Sequence, residues 1–584
     1  MMTDSTRDAG FSRRDFLKAG VAAGAVVGAG LGGFKYGYDK ALGSPVRVGV
    51  IGTGDEGSVL IGAINPNFLQ VRSICDIRPY NIHRAFHGDH YSESQLKARP
   101  GLMSVYGWKT EAEAKRHVKG VYKGSYEELI RNARQDGIEA VIIALPLHLH
   151  APAAIAALQA GLHVITEKLM GHSVHECKEM ARVAHETKLH LATGHQRHYN
   201  VLYAQAMDEI QRGTLGELHY IRAQWHRANL PDNDTWKVPL PPGVKPEKAS
   251  DALKKKLDDA EKQLATASGK ELLDLMKRVA QLKAQVADVI LHTTKDPETG
   301  RILAEALGYE GRKIGDYDRP AIEELIRWRL WDRTGAGLMA ELGSHQLDAA
   351  SIFISAVHGG VKQHPLGVIA AADRPVFPAD RDIEDHVFCV IEFPAPGFVA
   401  NDPIAGRKKI GVQYASINGN GFGGYGEIVY GTKGTLILER EQELSLIRNA
   451  SGASKLTVSG ATAGPTMDTQ ASGPPPGGAT GIRVSAGGGA ALDTQASGPA
   501  RAPTVSRGYA EELEHWAWCI RNPAPENRPR CYPEVALGDA VIALVTNMAA
   551  REGRRIEFQE SWFDVQSDET PEGVKPDIAR YATG

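Results

Sequence analysis

Three side chains in the stretch Met339-Ala340-Glu341-Leu342-Gly343-Ser344-His345-Gln346-Leu347-Asp348 have the types and spacing of acid–base machinery. On a helix starting near Met339, Glu341, His345 and Asp348 stand at i, i+4 and i+7, within roughly 60° of one another on one face. Carboxylates flanking an imidazole fix its tautomer and raise its basicity, as a general base requires. The same trio suits a solvated acidic face carrying a structural histidine, and spacing alone leaves both readings open. A second constellation lies far upstream. The apolar run Val46-Arg47-Val48-Gly49-Val50-Ile51 stops at Gly52-Thr53-Gly54-Asp55-Glu56-Gly57, a G-x-G-x-x-G pattern. Gly52 allows a tight turn and Gly54 lets the backbone approach a pyrophosphate. Gly57 lets the next helix pack close, with its N-terminus toward the phosphates. Thr53 and Glu56, inside the loop, are counted with it as cofactor contacts. Asp76 closes the next strand-like run, Val71–Cys75, 19 residues after Gly57. An acid there takes the hydroxyls of an adenosine ribose. It also repels a 2'-phosphate, which favours NAD(H). Arg78, two residues on, would accept one, so NADP(H) remains admissible.

The elements that must position these residues alternate between strand and helix from 46 to about 195. Ile138–Ala144 is a β-rich run ending at Leu145-Pro146. A helix follows over 151–160, then the strand His163–Thr166 with Glu167-Lys168 at its end. A helix over 173–187 and a strand over 189–193 complete the pattern. Such alternation implies right-handed βαβ units and a parallel sheet, whose ligands sit beyond the carboxyl ends of the strands. Gly52–Gly57, Asp76, Pro146, Lys168 and His195 all fall at such ends. His148 and His150 are placed to reach the cofactor or substrate, although His150 would equally cap the following helix. Lys168 beside Glu167 would otherwise be a surface ion pair. Arg197, closing the last strand, is a candidate substrate contact.

From about 216 the texture changes to alternating runs, 217–225, 386–393, 410–418, 426–430 and 434–439, joined by glycine-rich turns. This predicts a second domain on a mostly antiparallel sheet. Trp225, His226 and Arg227 would line a sugar site from there, or belong to an ordinary strand with one buried tryptophan. Two insertions interrupt the domain. One, at about 245–320, includes a charged helical hairpin over 246–292, expected to be peripheral. The other, at about 450–505, is Gly/Ser/Pro-rich, repeats Asp-Thr-Gln-Ala-Ser-Gly-Pro at 468–474 and 493–499, and is expected to be disordered. Amphipathic helices are predicted over 509–521 and 533–551.

Length and composition agree with this division. A chain of 584 residues exceeds one ordinary domain, and 42% hydrophobic with 23% charged residues is a globular balance. A net charge of -3 gives no basic excess for nucleic acid. The five cysteines lack metal spacing, so no metal site is expected, and only Cys519 and Cys531 are near enough in sequence to pair. Ser12-Arg13-Arg14-Asp15-Phe16-Leu17-Lys18 resembles the twin-arginine export signal, followed by a short Gly/Ala-rich segment without a clear cleavage site. This implies the twin-arginine export machinery as a partner and a periplasmic or extracytoplasmic protein, anchored if the signal stays.

The chain resembles the Gfo/Idh/MocA family of glucose–fructose and inositol oxidoreductases. The likeness rests on Gly52–Gly57, Cys75-Asp76, Glu167-Lys168, Gly194-His195-Gln196-Arg197, the helix with His345 and Asp348, and Tyr532-Pro533-Glu534-Val535. It covers about 46–240 and 325–565. The resemblance implies a signal and linker (1–44), a Rossmann NAD(P)-binding domain (45–198), an α+β domain with a mostly antiparallel open-faced sheet (199–565) and a tail (566–584). It implies that Lys168 lies near the nicotinamide and substrate hydroxyl, that His345 is the acid/base, and that Asp348 orients substrate or histidine. Glu341 stands where the family has Asp, and Leu169 where it has Pro. A sugar, sugar derivative or cyclitol is the implied substrate, and a homo-oligomer the implied state. Two alternatives are kept: a glycoside hydrolase that holds its NAD tightly and recycles it, and a non-catalytic carbohydrate-binding or scaffold protein.

Overall fold

The computed structural model describes residues 43–244, 247–448, 455–459, 466–468 and 506–581. The N-terminal arginine pair and most of the Gly/Ser/Pro-rich insertion lie outside them.

Six parallel strands form the first sheet: β1 (Val46–Ile51), β2 (Leu69–Cys75), β3 (Gly120–Tyr122), β4 (Ala140–Ile143), β5 (His163–Glu167) and β6 (Leu191–Gly194). Their order is β3-β2-β1-β4-β5-β6. Helices cover both faces, so strands such as Ala140–Ile143 are buried along their whole length and read as continuous apolar runs. The order reverses beside β1, and its carboxyl end carries the glycine loop at the switch point where such sheets bind ligands.

The later strands are β7 (Leu218–His226), the small hairpin β8 (Arg312–Ile314) and β9 (Tyr317–Arg319), β10 (Gly367–Asp373), β11 (His386–Pro394), β12 (Lys409–Ile417), β13 (Tyr425–Gly431), β14 (Gly434–Glu439), β15 (Glu443–Arg448), β16 (Lys455–Ser459), β17 (Thr466–Asp468) and β18 (Ile556–Glu557). All but β8 and β9 form one sheet in the order β17-β16-β15-β14-β13-β7-β12-β11-β10-β18. Only β7 and β12 run parallel; the other pairings are antiparallel. The alternating burial of β12 shows one face packed and the other open. The helix Ser344–Val357 lies on the packed face, and Pro533–Glu552 joins the same core, which continues into the first domain. The expected disorder over 450–505 fails at β16 and β17, where short β-forming runs extend the sheet edge.

Three other expectations change. The insertion holds a helical hairpin, Glu247–Leu264 and Gly269–Ala287, with its own small core of Leu253, Ala260, Val279 and Leu282. It is not peripheral: Gln281 donates to Asp89 of the first domain at 2.8 Å and accepts from the His90 N–H at 2.6 Å. Cys519 and Cys531 are both free and buried. The tail does not trail away but binds the helix Val174–Thr187. There the fully buried Lys178 ammonium donates to the carbonyls of Ser561 (2.8 Å), Ser567 (3.0 Å) and Glu569 (2.6 Å). Lys178→Met leaves three carbonyls without that donor. It should lower unfolding free energy by about 2–4 kcal/mol, read by urea denaturation; an unchanged midpoint would show that the tail docks without it.

Candidate active site

The loop after β1 is shaped by what surrounds it. A Cβ on Gly52, at φ 83°, would come 2.3 Å from the Ala144 carbonyl oxygen, and one on Gly57 would come 2.1 Å from that of Gly52. These two glycines are required by close approach. At Gly54 the nearest atom to such a Cβ is 3.6 Å away, so the loop is open on the side where a pyrophosphate would approach. The cradle therefore fits a dinucleotide. Asp76, at the end of β2, accepts from the N–H groups of Thr53 (2.8 Å) and Arg78 (2.9 Å) and from Asn81 Nδ2. Thr53 itself is buried and does not line the cleft; it positions Asp76 and is not a cofactor contact.

Arg78 is also otherwise engaged. Its Nε donates to Asp288 at 2.9 Å, and the same carboxylate accepts from the Tyr80 N–H at 3.0 Å. Asp288 is fully buried at the end of the inserted hairpin. The insertion thus neutralises the cation that would receive a 2'-phosphate.

A cleft of about 1910 Å³ runs from this loop to the helix of the second domain. That is larger than the ~300–1,000 Å³ of an ordinary small-ligand site and leaves room for more than one ligand. Gly52, Gly54, Glu56, Asp76, Arg78, Pro146, Glu167, Lys168, Trp225, Glu341 and His345 all line it. The peptide between Lys168 and Leu169 is cis. Lys168 Nζ donates to the Glu341 carbonyl across the domain boundary at 2.5 Å. Burial lowers its pKa, opposed by Glu341, Glu167 and Glu56. Burial raises Glu167 to about 8, helped by its neighbour Glu56, which is itself raised.

Met339–Gly343 is a π-helical turn, with the α-helix starting only at Ser344. Glu341 lies on this turn and His345 on the first turn of the α-helix, and both side chains line the cleft. Glu341 binds Arg329 Nε at 2.9 Å. Burial would raise its pKa, but Arg329, Lys168 and Arg227 outweigh it and hold it down to about 2. Asp348 does not flank His345, and it does not reach the cleft. Fully buried, it accepts from His198 Nε2 at 2.9 Å and lies 3.6 Å from His195 Nδ1. Near it, Asp539 and Cys531 approach His195 closely enough for a metal, but Lys362 already places a cation on Asp539, at 2.6 Å. His345 keeps a buried Nδ1 without a partner among the described residues, and its ring lies 5.6 Å from that of Trp225. Burial, then Lys168, Arg197 and His195, lower its pKa well below the usual histidine range, so it is neutral near pH 7.

Three further candidates change role. His150 turns both ring nitrogens onto carbonyls, Leu169 at 2.8 Å and Leu145 at 2.9 Å, bracing two loops and presenting neither nitrogen to a ligand. Arg197 is fully buried behind the cleft wall and donates twice to the cleft-lining Glu441, at 3.0 and 2.9 Å, without lining the cleft itself. His226 also lies off the cleft, because strand alternation turns Trp225 and Arg227 into it and the residue between them away. Sequence reasoning missed Tyr309, Trp328, Arg329, Arg507 and Tyr509, which line the cleft from the insertion and the segments after each insertion. No periodic signal marks them.

Residues 46–195 match the Gfo/Idh/MocA family model, described as an oxidoreductase family with an NAD-binding Rossmann fold. A glycosyl hydrolase family 109 protein of Stenotrophomonas maltophilia is 30% identical over 188 residues, 31% of this chain and 36% of that protein. An uncharacterised oxidoreductase of Schizosaccharomyces pombe is 31% identical over 151 residues, 25% of this chain and 41% of its own. The matched region thus spans less than half the length of either relative. An inositol dehydrogenase homolog from Azotobacter vinelandii, solved with NADH and myo-inositol, superposes with a TM-score of 0.50 at 13% identity, over 88% of this chain and 98% of that one. Residues 46–195 therefore form an NAD-binding Rossmann fold of the Gfo/Idh/MocA type, and the described residues share a two-domain fold with that dehydrogenase homolog.

Proposed function

We propose that the protein is an NAD-dependent oxidoreductase that takes hydride from a hydroxyl-bearing carbon of a sugar, sugar derivative or cyclitol. The observation that carries this is the meeting of the glycine loop, Lys168 and His345 in one cleft. When bound, the nicotinamide supplies the hydride acceptor. His345, neutral and facing Trp225, accepts the hydroxyl proton. Lys168 spends one of its donors on the Glu341 carbonyl, which fixes its direction, and keeps the others for the substrate oxygen. Arg329 holds Glu341 ionised. Trp225 and Trp236 line the cleft beside His345 and Arg227, where their apolar faces reduce the access of water.

NAD is favoured over NADP because Asp288 occupies Arg78. A second reading, a redox-neutral glycosidase, is supported by the names of the sequence relatives. The twin-arginine pattern supports action outside the cytoplasm, where a tightly held cofactor avoids the need for a free pool. Half-exposed Ile369, Phe388 and Val390 on the open face support a homo-oligomer.

Protein purified from its producing cells should carry or bind NAD(H). NADH accumulating with free sugars supports the dehydrogenase, and aglycone release without net NADH supports the glycosidase. No nucleotide bound and none taken up on titration defeats both. Lys168→Met and His345→Ala should each lower turnover by about 10²–10⁴-fold with NADH binding kept; an active variant would remove that residue from the mechanism. His345 must be neutral to act, and its pKa lies below 6.5. The kcat/KM profile should therefore stay flat as pH falls through 6.5 and decline only in more acidic solution. Asp288→Ala frees Arg78, and NADP(H) affinity measured by fluorescence titration should rise about two- to fivefold relative to NAD(H), the scale of one solvated charge pair.

A further inference from the structure

Arg227 follows Trp225 by two residues and shares its side of the strand end. It is 5% exposed. Its guanidinium carbon lies 5.8 Å from the Trp225 ring centroid and 5.0 Å from that of Trp236. Trp225 in turn lies 5.6 Å from His345, so this cation sits one ring away from the base, and both line the cleft.

A buried guanidinium ordinarily has a carboxylate. This protein follows that rule at Arg84 with Asp55, Arg197 with Glu441, Arg319 with Glu324, Arg327 with Glu323 and Arg381 with Asp234. Arg227 has neither an ion-pair partner nor a side-chain hydrogen bond among the described residues, and its Nε is a buried donor with nothing to receive it. The two carboxylates that act on it from a distance are both committed. Glu341 binds Arg329 at 2.9 Å, and Asp234 binds Arg381 at 2.6 Å. Burial pushes the guanidinium down to about 10, as expected of a cation without a counter-ion.

The rest of this end of the cleft has the same imbalance. Lys168, Arg227, Arg329 and Arg507 line it with Glu341 and Glu441, and Glu441 also serves Arg197. Glu56 and Glu167, the other acids beside Lys168, are raised toward neutrality by burial. Asp232 lies exposed on the same wall, and Lys237 and Arg327 have their own acids in Asp380 and Glu323.

We propose that the substrate carries a carboxylate, and that Arg227 binds it: the site takes a sugar acid, uronic or aldonic, in preference to the neutral sugar. This rests on the reading of the cleft as an oxidoreductase site. One planar guanidinium between indole walls matches one planar carboxylate, by a fork of parallel hydrogen bonds. Anchored there, the sugar extends past Trp225 toward Lys168 and His345, so Arg227 selects the substrate and sets which hydroxyl meets the base.

The test is calorimetric titration of the full-length NADH-loaded protein with matched pairs: glucuronate and glucose, galacturonate and galactose, mannuronate and mannose, gluconate and glucitol. At least one acid should bind tenfold or more tightly than its neutral partner. Arg227→Gln should erase that preference, Arg227→Lys should keep part of it, and both should bind NADH as the parent does, which certifies their folding. If no acid binds better than its neutral partner, or the preference survives Arg227→Gln, the proposal is overturned. Failure of the parent protein to bind NADH would instead defeat the oxidoreductase reading, which separates the two.

Discussion

The Lys168 ammonium sits half-buried where the two domains touch, and its bond to the Glu341 carbonyl joins the two walls of the cleft. A cation with so little water must be held by charges and dipoles around it. Here Glu341, Glu167 and Glu56 supply them, one from the second domain and two from the first. The arrangement is unequal by design of position. Glu341 is kept ionised by Arg329, whereas Glu167 and Glu56 repel each other and lean toward their neutral forms. The seam therefore stays cationic around a neutral imidazole. That suits proton removal from a hydroxyl, since the developing alkoxide meets positive charge while the base is free to accept.

The inserted hairpin takes its significance from the same seam. A charged helical pair read from sequence has no visible partner, because its charges look like a solvated face. In the folded protein Gln281 and Asp288 leave that face and enter the first domain. Leu253, Lys256, Leu282 and Gln285 line the cleft beside Tyr80 and Asp89. The hairpin and Tyr309 thus form a wall at the ribose end, near Asp76 and Arg78, while Trp328 and Arg329, beyond the insertion, line the cleft on the Glu341 side. The hairpin's position explains why the cleft is deep despite a first domain of ordinary size.

What could be read in the sequence was what is set locally. The glycine loop, Asp76 and the Lys168 strand end follow from strand periodicity and backbone sterics within a few residues, and the structure places each at the cleft. The strands of the second sheet were legible for the same reason, since alternation is a local pattern. The misreadings share the opposite cause. Asp348 was placed beside His345 by helical spacing and by resemblance, and Arg197 toward substrate by its strand end, yet their partners, His198 and Glu441, come from 150 and 244 residues away in sequence. The π turn at Met339–Gly343 carries no compositional mark, so a helix was expected from about Met339 where the α-helix begins only at Ser344. Arg329 and Arg507 were missed because they reach the cleft from connecting segments, and Tyr509 because only the fold brings the start of its helix there.

Burial without a partner separates the functional charges from the structural ones. Arg197, Arg327 and Arg381 are as buried as Arg227, but each has a carboxylate inside the protein that balances its charge. Asp348 pairs in the same way with His198. Where the chain leaves a buried cation without a carboxylate, at Arg227, the fold forgoes the balance that an internal acid would give. Two tryptophans hold the guanidinium in place but do not neutralise it, since a ring face contributes only about 0.5–2 kcal/mol to a cation. The remaining deficit is largest when the cleft lacks an anion and smallest when an anion enters. The same electrostatics that disfavour a lone buried cation therefore favour an anion beside Arg227.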